Sequence, residues 1–83
     1  MYRIVLEREA AKRLERLPAK TGDLIIAKIE QLAENPDSLR NNVTKLVGSK
    51  QSRLRIGDWR VLFFVDGEIL VVSRIAPRGG AYD

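Results

Sequence analysis

The 83-residue sequence contains no cysteine and no histidine. Without cysteine there is no disulfide framework and no thiolate chemistry. Without histidine the usual general base near neutral pH is missing. Together the two absences remove the ligands that normally hold zinc or iron. A carboxylate-only metal site would have to draw on Asp58, Asp66 and Glu68, which fall in expected turns where solvated carboxylates are common. No metal and no cofactor is therefore expected. Long apolar runs are also absent: none approaches the ~20 residues of a membrane span. The opening "MYRIVLEREA" lacks the apolar core of a signal peptide. A cytoplasmic protein with no membrane partner is expected.

What is present suits one folded domain over residues 1–83. Hydrophobic residues make up 45%, enough to exclude disorder. The length lies near the lower limit for a lone core. The net charge of +4 is unevenly placed. Residues 1–37 hold seven basic and seven acidic side chains, and residues 38–83 hold eight basic against four acidic. The whole excess sits in the second half, which points to an anionic partner, most simply nucleic acid.

The pattern predicts an α+β fold. "YRIVL" at 2–6 reads as a strand with Ile4 and Leu6 on one face. Ala10, Leu14 and Leu17 then recur at helical spacing, and Pro18 stops that helix. A second helix over about 19–34 carries Ile25, Ile29 and Leu32, supported by Ile26 and Ala33, and Asn35-Pro36 ends it. These two form an antiparallel helical hairpin. Residues 37–51 read as polar and irregular, pinned by Leu39, Val43, Leu46 and Val47. A three-stranded antiparallel meander follows: "SRLRI", "WRVLFFV" and "EILVVSRIA". Its turns are expected to be type II′ at Gly57-Asp58 and type I′ at Asp66-Gly67. The last two strands are apolar on both faces, with Ile69, Val71 and Ile75 alternating with Leu70 and Val72. One face suits the helices, and the other invites a protein partner.

Arginines gather at this sheet. Arg53 and Arg55 share one strand face, Arg60 follows the Gly-Asp turn, and the last strand carries Arg74 and delivers Arg78. Pro77 stops ladder pairing, and Gly79-Gly80 frees the backbone so that Tyr82 can fold back towards the sheet. Guanidiniums bind phosphate bidentately and stabilise the charge of a pentacoordinate phosphorane. A tyrosine can stack on a base or take part in proton transfer.

"LRIGDWRVLF", the closing "RGGAY" and the helix ending in "LERLP" together resemble the RelE/ParE superfamily of bacterial type II toxins, nearest its RelE-like branch. The likeness spans essentially the whole chain. It implies a helical hairpin on one face of an antiparallel sheet. It also implies an mRNA endonuclease that works in the ribosomal A site without metal, using the 2′-hydroxyl as nucleophile. Residue by residue, the resemblance places a basic site residue at Arg53 or Arg55, the transition-state arginine at Arg60, and the C-terminal pair at Arg78 and Tyr82. Arg60, Arg78, Tyr82 and Arg55 are thus the expected catalytic residues. Arg53, Lys45, Lys50 and Arg74 are the expected RNA contacts. The best-known RelE-like members carry lysines where this chain has Arg53 and Arg55, which leaves Lys45 or Lys50 as the candidate amine. The expected partners are an antitoxin, the ribosome with its mRNA, and promoter DNA through the toxin–antitoxin complex. The alternative is the ParE-like role, inhibition of DNA gyrase without nuclease activity.

Overall fold

Pro18 divides the helical half of the molecule. Its ring disfavours helical backbone at the preceding residue, and Leu17 is extended, with φ −78° and ψ 149°. The structure, a computed structural model, describes residues 1–79. Strand β1 (Arg3–Leu6) leads into α1 (Arg8–Arg16) and α2 (Ala19–Glu34). A 3-10 segment (Pro36–Asn42) then precedes β2 (Val43–Lys45), β3 (Ser52–Ile56), β4 (Trp59–Asp66) and β5 (Ile69–Pro77). The α+β architecture follows the expected strand, helical hairpin and meander. No helix among the described residues is long and apolar enough to cross a membrane.

The strands form one sheet in the order β1-β5-β4-β3-β2. β1 runs parallel to β5, with Leu6 opposite Val72 as the last pair. Beyond it, the Glu7 amide donates to the Val72 carbonyl at 2.9 Å, and α1 takes over the flank of β5. The core lies between the helices and one sheet face. Ile25, Leu54, Val61, Leu70, Val72 and Ile75 are fully buried there, each contributing about 1.5–3 kcal/mol of transfer free energy. Ala10, Ile29, Leu32, Ala33, Leu39, Ile56 and Phe63 complete the cluster.

Four expectations are corrected. The irregular segment is partly ordered. Pro36 opens the 3-10 turn, the Ser38 hydroxyl donates to the Asn35 carbonyl at 2.7 Å, and Val43–Lys45 pairs with Ser52–Leu54 as an added edge strand. The second hairpin turn is Gly67-Glu68, because Asp66 pairs with Ile69. Gly67 has φ +62° and no described non-glycine residue has positive φ, which excludes the type I′ form with its two left-handed positions. Ile26 lies at 40% exposure rather than in the core. Finally, β5 does not alternate regularly. Leu62 pairs with Arg74 but Phe63 pairs with Val72, so Ser73 is an extra, bulged residue. The bulge moves Ile75 onto the core face with Leu70 and Val72, away from Ile69 and Val71.

Candidate nucleic-acid interface

Burial fixes which way the arginines of the meander point. Leu54, Ile56, Val61 and Phe63 face the core, so Arg53, Arg55 and Arg60 stand on the opposite face. Arg55 pairs directly with Arg60. Like charges opposite each other on neighbouring strands destabilise a sheet. Two acceptors offset part of that cost: Arg60 Nη1 donates to the carbonyls of Gly57 and Trp59, each at 3.0 Å. Gly57 can open this turn because its φ is +58°.

The three arginines share a polar cavity of about 150 Å³ with Asn41, Asn42 and Thr44. Among the described residues, no acidic side chain lines it. Asn42 Nδ2 reaches the Arg55 carbonyl at 3.5 Å, and Thr44 pairs with Arg53 in the ladder. The arginine wall can only donate hydrogen bonds, whereas the amides and hydroxyl opposite can also accept. The cavity therefore suits an anion that also carries donor groups. Thr44 was not legible in the sequence because β2 is too short to show a strand period; Asn41 and Asn42 close the 3-10 segment, where the polar run "RNN" was the available signal.

Arg78 reaches the same end of the sheet by its main chain. Its amide donates to the Asp58 carbonyl at 2.7 Å, one residue along the turn from the carbonyl that holds Arg60. The remaining expected site residues are placed elsewhere. Lys45 and Lys50 flank a separate loop cavity, and the Lys50 ammonium lies 4.1 Å from the Phe64 ring centroid. Arg74 lines a cavity beside α1. Tyr82 lies outside the described residues. The open sheet face is half covered rather than bare: Leu62, Phe64, Ile69 and Val71 are all partly buried.

The family model for the ParE toxin of the type II toxin–antitoxin system matches residues 4–82. The chain belongs to this toxin family. No curated protein matches the toxin. Among solved structures, it is similar to the archaeal RelE–RelB complex of Pyrococcus horikoshii, at 27% identity and a TM-score of 0.80, over 96% of this chain and 98% of that one. It is similar in fold to the RelB–RelE complex of Methanococcus jannaschii, at 24% identity and a TM-score of 0.71, over 95% of each chain. The intact E. coli RelBE complex matches at 18% identity and a TM-score of 0.76, over 93% of this chain and 96% of that one. The toxin thus lies in the RelE/ParE superfamily. The family model bears the ParE name, and these neighbours are RelE toxins in complexes with RelB.

Proposed function

We propose that this toxin is a ribosome-dependent mRNA endonuclease that needs no metal. The observation that carries the reading is the cavity of Arg53, Arg55 and Arg60, whose other described lining residues are two amides and a hydroxyl. In this mechanism the 2′-hydroxyl oxygen attacks the adjacent phosphorus and the bond to the 5′ oxygen breaks. A cyclic phosphate remains, and the proton of the 2′-hydroxyl goes, in net, to the departing oxygen. Arg60 and Arg78 hold the charge that grows on the phosphorane, Arg55 assists, and Tyr82 orients the hydroxyl or stacks on the base. Arg53, Lys45 and Lys50 hold flanking phosphates. The toxin's own partner is an antitoxin that covers the half-buried apolar sheet face, works in the cytoplasm with it, and joins it on promoter DNA.

Primer extension on a defined mRNA with purified ribosomes tests this. Cuts in the A-site codon that disappear in Arg78→Ala and weaken in Tyr82→Phe are expected. Intact mRNA from folded, antitoxin-free toxin overturns the reading. The family match to ParE favours one second reading, inhibition of DNA gyrase. Loss of supercoiling activity with mRNA left intact is its signature.

A further inference from the structure

Arg74 belongs to a cavity of about 360 Å³ between β5 and α1, not to the cavity of Arg53, Arg55 and Arg60. Lys12, Arg13 and Arg16 line it from α1, together with Glu9, over the aliphatic side chains of Leu17 and Ile75. Among the described residues, four cationic side chains and one carboxylate thus line the cavity. The site exists because β1 stops pairing at Val72, so that α1 rather than a strand flanks the rest of β5. The bulge at Ser73 falls at the same point.

The ladder joins the two cavities. Arg53 pairs with Leu62, and Leu62 pairs with Arg74, in one row across three strands. Two strand spacings put the ends of that row about 10 Å apart, the span of roughly three phosphates of a stacked strand. A polyanion with regularly spaced charges can therefore occupy both cavities at once.

We propose that the α1–β5 cavity is a second phosphate-binding site. It takes the backbone of the same RNA whose scissile phosphate lies at Arg60, so the RNA crosses the strands from β3 towards α1. The proposal rests on the RNA-cleaving reading for the identity of the strand, though the site itself is tested without cleavage. Because Lys12, Arg13, Arg16 and Arg74 are remote from the reacting bond, they bind ground state and transition state alike, which lowers KM without changing kcat.

The test is fluorescence anisotropy with a labelled uridine-only oligoribonucleotide, titrated between about 50 and 200 mM salt. The proteins are wild type, the double variant Arg13→Gln/Arg16→Gln, Arg74→Gln, and Arg8→Gln as a control on α1 outside the cavity. Each neutralised phosphate contact on a single strand contributes about 0.7 to the slope of log K against log salt, so the double variant should lose about 1.4. Arg8→Gln should leave the slope near wild type. Arg13 and Arg16 are exposed, so their variants keep the fold, which a matching urea midpoint checks. Unchanged slopes in the cavity variants overturn the site. Variants that retain RNA binding but lose a glutamate-rich peptide also overturn it and reassign the cavity to a protein partner. A reduced slope in a toxin whose wild type makes no ribosome-dependent cuts sustains the site and overturns the nuclease reading alone. In cleavage assays the double variant should raise KM with kcat preserved, and a matching fall in kcat overturns the binding role.

Discussion

Arg60 is both a turn residue and the proposed charge stabiliser, and the two roles separate by substitution. Its Nη1 is held by the Gly57 and Trp59 carbonyls, and these neutral acceptors position the rest of the guanidinium fork. Arg60→Ala should lower single-turnover cleavage by about 10²–10³, the scale for removing one preorganised donor from a transition state. Arg60→Lys keeps charge but not the fork, so it should rescue little of the loss; full rescue would show that charge alone matters. Ser73 acts on stability instead. Its hydroxyl lies 2.6 Å from Gln51 Oε1 and 3.2 Å from the Leu62 carbonyl, tying the bulge to the start of β3. Ser73→Ala should cost about 1 kcal/mol in urea unfolding. That alternation was broken at all could not be read at this position, since "VVSRIA" fits a regular strand equally well and only pairing with β4 shows the extra residue.

At the scale of elements, the helix boundaries and the antiparallel β3–β4–β5 meander were legible, and the pairing of β1 and β2 was not. Pro18, Asn35-Pro36 and Gly57 act through their own backbone restrictions, so each sets a boundary whatever surrounds it. Gly57→Ala places a Cβ at φ +58° and should destabilise the β3–β4 hairpin by on the order of 1 kcal/mol, with the arginine cavity loosened alongside. Gly22 in α2 behaves oppositely. It is buried against α1, yet a Cβ there would sit 3.8 Å from the Leu14 carbonyl oxygen and 3.9 Å from Leu14 Cδ1, ordinary contact distances. Gly22→Ala should therefore stabilise by about 0.5–1 kcal/mol through helix propensity, read as a higher urea midpoint. A lower midpoint would mean that the helices are already in tight contact. The short strand β2 escaped the sequence because three residues carry no measurable period; it forms because Leu54 and Arg53 offer it an edge.

For the whole molecule, the charge imbalance and the two-sided apolar strands take on different meanings. Three of the eight cations of residues 38–83 line one polar cavity, and α1, from the electrically balanced half, supplies cations to a second. The apolar open face is half-buried, with Lys50 lying over Phe64, so an apolar-surface dye should bind the isolated toxin weakly and be released by a cognate antitoxin. Strong dye binding would mean that the face is open in solution. The sequence by itself determined the first strand, the helical hairpin and the three meander strands in their order, the core stripe of α2, and the segregation of arginines from buried aliphatics on β3, because each follows from local period and backbone restriction. It also carried the family's motifs. Only the tertiary structure decided that β1 runs parallel to β5, that Ser73 bulges, that Asn41, Asn42 and Thr44 complete the arginine cavity, and that Arg74 sides with α1. Those four depend on which strand edges meet, and strand pairing is a contact between distant residues that no local pattern records.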